Sequence, residues 1–539
     1  MLARFSFYLI PFIGVFLTCT LAASIKARAL PGLLDATLEE LRAGLDRGTF
    51  TSVDLTKAYL GRITETQNSL NAIIQLNPDA LTVAEAKDYE RKEACPSGGP
   101  CPSLGALHGI PVILKDNIAT FDSMDNTAGS YALVGAKVPC DSTIASKLRS
   151  AGVILLGKAN LSQWAAWRTY NYDINAWSSV GGRTKGAYYK DQSPGGSSSG
   201  SGVASSVGLA WASLGSETAG SIISPAYENN VVGIKPTVGL TSRYLVVPIS
   251  QHQDSVGPLA RTVKDAAVLL SAIAGTDHRD NYTSSIPFAT IPDYTASCMH
   301  KRLDGVRLGM PKSFTGDENL SDNEKKLVKA AVATLRSLGA TVVEGFDMPG
   351  SKRLSELNDV TWSRLGIDFI SDAPNYFNEL SVNPHNISSV QDLVHYTRTD
   401  PRENYPEVDT KLWDDALAQG FGNTDARFWN FTLLNYEIFA DQGIDWALRQ
   451  HDLDMLVGHP YSMLYYTSAI GYPVMSVPAG SVPVEGGGSR PVGFGFTGTK
   501  FSEEKMFRVA YAFEQATTHR NKLQPMIVPK TELKDVILH

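Results

Sequence analysis

Cysteine is scarce. The chain has five in 539 residues, with no Cys-x-x-Cys pair and no histidine-rich cluster at zinc spacing, so a structural zinc module is excluded. Positive charge is also in short supply: 48 lysines and arginines stand against 55 acidic residues, a net charge of -7. That balance argues against a nucleic-acid surface, which needs clustered positive charge, and a small-molecule or peptide partner fits better. There is no internal repeat and no long low-complexity tract. The apolar and charged fractions, 43 % and 19 %, are ordinary for a globular chain with a sizeable core.

The N-terminus carries a long apolar run. Arg4 supplies a positive flank, Phe5–Ala23 the apolar stretch, and Thr20, Ala22 and Ala23 the small residues of a cleavage site. Residues 1–23 therefore read as a secretory signal peptide, with an extracellular destination. The alternative is an uncleaved membrane anchor. Pro11 interrupts the run, and the unbroken part beyond it falls short of the ~20 residues a span requires, so no stable anchor is expected.

Cleavage removes Cys19 and leaves Cys95, Cys101, Cys140 and Cys298. Four cysteines in an oxidising compartment allow three pairings. The most local is Cys95 with Cys101, closing the turn-rich CPSGGPC; buried free thiols are the alternative. Sequons stand at Asn160, Asn281, Asn319, Asn386 and Asn430. Asn160 lies between an apolar strand and an apolar helix start, so it is expected to stay unmodified; the others have more polar surroundings.

From Leu34 to Gln67 apolar residues repeat at three and four, which predicts helices, with Asp35 and Thr51 as N-caps. IPVILK (Ile110 to Lys115) and VILLGKA (Val153 to Ala159) read as strands, and DSTIASKLRSAG between them as a helix. That order implies parallel α/β construction. VRLGMPK, ATVVEGF and DMLVGHP read as further buried strands. The stretch 351–432 is helical in pattern and rich in Trp and Tyr, an elaboration that covers the core. The C-terminal part predicts two strands and an amphipathic helix.

One segment carries chemistry. PGGSSSGSGVASSVGLAWASLGSETAGSIISP (Pro194 to Pro225) places glycines and hydroxyls at both ends of a compact apolar stretch. A flexible linker would have GGSSSG's composition, yet a tether would not lead directly into a core helix. Gly196-x-Ser198-x-Gly200 formally matches a nucleophile elbow, but the preceding AYYKDQSP is polar and broken by Pro194, where that motif needs a strand. In SETAGSIISP, glycine before Ser221 at a turn exposes backbone N–H groups suited to an oxyanion.

Taken together, SPGGSSSGSGVA, the Glu-Thr-x-Gly-Ser-Ile run, ILKDN and VGLTSRYLVVPISQHQDSVGPLARTVKDAA resemble the amidase signature family of serine hydrolases, peptide amidase-like fungal and bacterial members above all. The resemblance spans about 30–530. It implies one catalytic domain of α/β class, a large mixed β-sheet flanked by helices on both faces. It implies hydrolysis of a linear carboxamide through a seryl acyl-enzyme, on peptide C-terminal amides or small amides, with no metal or organic cofactor. Carried over by motif, Ser221 is the nucleophile, Ser197 the bridging serine after a cis peptide from Gly196, and Lys115 the general base. Ser198 is a supporting serine, and the backbone N–H groups of Thr218, Ala219, Gly220 and Ser221 form the oxyanion turn.

The chemistry requires these types. A serine hydroxyl needs a base to take its proton, and a lysine serves only when neutral. Lowering its pKa from about 10.4 to ~7–8 by burial represents roughly 3–5 kcal/mol, and the apolar IPVIL before Lys115 suits that. Two departures stand out: Ala219 occupies a frequent glycine position, and Ile223 a frequent arginine. The alternatives are an esterase built on Ser198, a secreted non-catalytic binding protein on the same scaffold, and an amidotransferase subunit. His108 and His252 read as structural, Asp116 and Asn117 as supports for the lysine loop. Trp362, Phe369, Tyr376, Tyr396, Trp413 and Trp429 read mainly as core.

Overall fold

The computed structural model describes residues 30–171, 174–316, 320–357 and 360–537. The expected signal segment 1–23 and the sequon at Asn319 lie outside the described residues. Eleven strands form one mixed sheet: β1 (Ile73–Leu76), β2 (Pro111–Lys115), β3 (Ile154–Ala159), β4 (Ala212–Glu217), β5 (Val232–Lys235), β6 (Ser255–Ala260), β7 (Arg307–Met310), β8 (Thr341–Glu344), β9 (Met455–Gly458), β10 (Val474–Pro483) and β11 (Ser489–Thr497). Their spatial order is β1-β3-β2-β4-β6-β5-β10-β11-β9-β7-β8. β3, β2 and β4 run parallel, as do β9, β7 and β8. The ladders between these two groups are antiparallel.

Alternation along the strands divides the core between two faces. Met455 and Val457 join the main cluster with Phe507 and Phe513, while Leu456 between them joins Phe314, Met463 and Tyr466. Helices therefore cover both sides, and the α/β architecture is as the motifs implied. IPVILK and VILLGKA form β2 and β3, with the helix Thr143–Ser150 as the crossover between them.

Two local readings need correction. The first helix starts at Leu38 and is capped by Thr37, not Asp35. Thr37 and Glu40 exchange side-chain and backbone bonds in a capping box, while Asp35 lies 3.1 Å from Arg520. Thr51 caps the second helix as expected, with Asp54 as its reciprocal partner. ATVVEGF forms β8, but as an edge strand. Only Val342 is buried there, because β7 covers one side alone.

Cys95 and Cys101 are disulfide-bonded, and Cys140 and Cys298 are free thiols. Asn160 has no exposed surface, and its side-chain amide donates to Gly182 O at 3.1 Å, which leaves no room for a glycan. Asn281, Asn386 and Asn430 are exposed.

Between β8 and β9 the chain is helical, with longer helices at Val360–Glu379, Val390–Thr399, Lys411–Ala418 and Ala426–Tyr436. Phe369, Leu393 and Trp413 pack there against Trp164 and Trp167 from the loop after β3. A fully buried ion pair pins this junction: Arg168 Nη1 lies 3.2 Å from Glu403 Oε2, neither side chain having exposed surface. Glu403 also accepts from Ser130 Oγ and Tyr131 N–H, each at 2.7 Å. Removing one member leaves the other charge buried and unpaired. Arg168→Met is expected to cost about 3–5 kcal/mol, read as a lower denaturant midpoint; a midpoint equal to the parent protein's would show that the pair contributes nothing.

Candidate active site

The parallel strands β2 and β4 lie side by side, and their carboxyl ends are where an open α/β sheet offers room for a ligand. Lys115 ends β2; Ser216 and Glu217 end β4. The helix Ser199–Ser206 packs on these strands through its small residues. Ser201 Oγ donates to Leu214 O at 3.0 Å. Gly200 has to be glycine: a Cβ there would lie 2.2 Å from Ala72 O and 2.6 Å from the backbone of Asn160. This close approach sets Gly196, Ser197 and Ser198 against the end of β2.

Lys115 Nζ lies 2.7 Å from Ser197 Oγ, 3.0 Å from Ser216 O and 3.0 Å from Ser216 Oγ. The peptide bond between Gly196 and Ser197 is cis. Ser197 O accepts from Ser162 N–H at 3.0 Å, and Ser198 N–H donates to Ser221 O at 3.1 Å. The three motif segments thus converge. Lys115 and Ser197 have no exposed surface, whereas Ser221 retains 8 % and lines the wall of an open cavity.

Burial lowers the Lys115 pKa from its ordinary value to about 7, against the opposing pull of the Asp254 and Glu217 carboxylates. Near neutrality a large share of this amine is therefore uncharged. In that state its lone pair is free to face Ser197 Oγ while its N–H groups donate to Ser216 O and Oγ.

Gly220 holds φ +88°, a backbone region that favours glycine. The N–H groups of Ile222 and Ile223 both donate to Glu217 Oε2, at 2.7 and 2.9 Å. The amides of Ala219, Gly220 and Ser221 find no acceptor among the described residues, and Ala219 and Ser221 face the cavity. Replacement of glycine by Ala219 leaves the turn open, because its side chain is exposed.

Other expectations resolve individually. Ser198 Oγ donates to Ser216 O at 3.1 Å and bonds no histidine among the described residues, so the esterase reading finds no support. Asn117 Nδ2 donates to Ser216 Oγ at 2.8 Å, one step from the lysine. Asp116 accepts from Thr127 Oγ and, at 3.1 Å, from Gly129 N–H, a turn-holding role. His108 lies 2.8 Å from Glu90, and His252 2.9 Å from Asp368; both make structural contacts to a carboxylate. Phe369, Tyr376 and Trp413 are buried core, Tyr396 is half-buried, and Trp362 and Trp429 are exposed.

Several partners of the expected residues escaped sequence reasoning. Asp254 accepts from Thr218 Oγ1 at 2.6 Å, and Gln253 Nε2 donates to Thr218 O at 3.5 Å. Gln253 Oε1 in turn accepts from the buried Arg364, which also donates to Ala469 O at 2.6 Å. Glu217 stands within the Glu-Thr-x-Gly-Ser run and could have been singled out there. Nothing local marks Gln253 or Arg364.

The sequence profile of the Amidase family matches residues 54–427. The chain belongs to the amidase family. A protein of Arthroderma benhamiae that carries the name amidase is 43 % identical, over 95 % of this chain and 90 % of its own length. The glutamyl-tRNA(Gln) amidotransferase of Enterococcus faecalis contributes a relative too: one of its subunits is 32 % identical, over 92 % of this chain and 99 % of its own length. Among solved structures, the native peptide amidase of Stenotrophomonas maltophilia superposes with a TM-score of 0.81 at 35 % identity, covering 92 % of this chain and 99 % of that one. With this membership, the chain is an amide-hydrolysing enzyme of the amidase signature fold, and a purely non-catalytic role is not supported.

Proposed function

We propose that this amidase hydrolyses linear carboxamides through a Ser221–Ser197–Lys115 triad and a seryl acyl-enzyme. The observation that carries the reading is the 2.7 Å contact between Lys115 Nζ and Ser197 Oγ, at a lysine whose charge burial opposes. Ser221 Oγ attacks the amide carbon as its proton passes to Ser197, while the Ser197 proton passes to Lys115. The carbonyl oxygen gains negative charge and is held by the free amides of the Ala219–Ser221 turn; one such donor is worth about 2.7–4 kcal/mol. The C–N bond then breaks as the proton returns through Ser197 to the leaving nitrogen. Water repeats the sequence on the ester and releases a carboxylic acid.

The substrate class we favour is a peptide C-terminal amide or a small primary amide. The leaving nitrogen must reach Ser197, which has no exposed surface; ammonia fits there more readily than a bulky amine. The likeness to a protein named peptide amidase points the same way. Purified enzyme should release ammonia from amidated peptides. Turnover of secondary anilides with no ammonia from any primary amide would defeat this choice of substrate.

We further propose that the enzyme is exported, on the pattern of Arg4 and Phe5–Ala23. The Cys95–Cys101 disulfide is compatible with an oxidising compartment. N-terminal sequencing of protein from the culture medium should begin just after Ala23; a mature protein that keeps Met1 and stays with the cells would overturn it.

A further inference from the structure

The cavity beside Ser221 has a volume of about 170 Å³, and among the described residues no Asp, Glu, Lys or Arg side chain lines it. Its walls are mainly apolar, with Trp167, Ile249, Trp362, Leu365 and Leu412 among them. It does not end there. A second cavity of about 380 Å³ shares Trp167, Tyr170, Trp362 and Leu412 with the first, and adds Asp415 and Gln419 at its outer end. The two adjoin at these four residues as one groove whose only charged side chain, among the described residues, is Asp415 of the second cavity.

Trp167 and Trp362 stack at its waist, ring centroids 5.8 Å apart and planes 6° from parallel. Trp167 is buried, held with the junction that Arg168 and Glu403 pin. Trp362 is 43 % exposed and forms the lip. An indole left this open on an enzyme surface, stacked on a buried one, presents an apolar face to whatever occupies the groove.

Resting on the triad reading above, we infer that Trp167, Trp362 and Leu412 form a selectivity subsite for the acyl side of the substrate. The class it takes is a peptide amide whose amidated residue is large and apolar or aromatic, with further neutral chain running outward past the tryptophans. The direction follows from burial. The Ser197 and Lys115 side of Ser221 is closed, so the groove receives the acyl chain and not the leaving group. A carboxylate on the amidated residue would lose its water inside this part of the groove and meet no Lys or Arg there among the described residues.

The test is ammonia release from three probes: N-acetyl-Ala-Phe-amide, N-acetyl-Ala-Ala-amide and N-acetyl-Ala-Asp-amide. The wild-type enzyme should favour Phe over Ala by about 10- to 100-fold in kcat/KM, and Asp should be the poorest of the three. Trp362→Ala should lower the Phe-to-Ala ratio about tenfold, and Trp362→Phe should restore most of it; thermal melting checks that both variants fold. A wild-type ratio within twofold of unity, or a ratio unchanged in Trp362→Ala, would overturn the subsite while leaving the triad standing. Folded wild-type enzyme that releases no ammonia from any probe or simple amide would overturn the triad reading, and the subsite with it.

Discussion

Ser221→Ala should lower amide hydrolysis by at least ~10⁴-fold in kcat, and labelling by an active-serine fluorophosphonate should disappear with it. The magnitude follows from the role. A nucleophile that forms a covalent intermediate cannot be replaced by positioning, and the residual rate is the part supplied by oxyanion donors and binding. Ser198→Ala gives the contrast. Its hydroxyl donates to Ser216 O, an oxygen that also accepts from Lys115. The variant should therefore turn over more slowly but still take the probe. Full labelling of Ser221→Ala, with loss confined to Ser198→Ala, would transfer the nucleophile to the other serine.

The second large effect is a pH signature at Lys115. The base works only when neutral, and its pKa is lowered to about 7. Below that value the rate should fall tenfold per pH unit, and above it should level off. Lys115→Met should lose about 10³-fold and show no such acidic limb. Asp254 is the leading carboxylate that keeps the ammonium form favoured. Asp254→Asn should accordingly move the limb to lower pH. A limb that stays in place in both variants would remove the lysine from the mechanism.

The same shift carries a stability cost. A lysine at about 10.4 in the unfolded chain and about 7 when folded binds its proton more weakly in the native state. The cost is complete below pH 7 and fades as pH rises toward the unfolded value. It amounts to roughly 3–5 kcal/mol at most, less whatever the lost contacts to Ser197 and Ser216 contribute. Lys115→Met should therefore gain most stability relative to wild type near pH 6, with the difference shrinking toward pH 10. Chemical denaturation at the two pH values reads it. A difference that does not change with pH would mean that the lysine is not held neutral.

Much of this site was legible before any coordinates. The Glu-Thr-x-Gly-Ser run, GGSSSG and ILKDN each lie within a few residues of one element's end, so local pattern and motif could single them out. Asp254 was not legible in the same way. It reaches Thr218 because β6 lies beside β4, although β5 comes between them in the chain. Gln253 and Arg364 meet across 111 residues. Trp362 reads as one more core aromatic of a helical segment, and only its stack on Trp167 gives it a place at the groove.

Periodicity, caps and short motifs act over one or two turns, and they were enough to determine the α/β class and the parallel β2–β3 crossover and to single out the candidate reacting side chains. What the tertiary structure alone decided was the surroundings of Lys115, the carboxylates that oppose its discharge, and the tryptophan-walled groove. Those properties depend on which distant surfaces exclude water from one another, and desolvation is a sum over neighbours that no local stretch of chain contains.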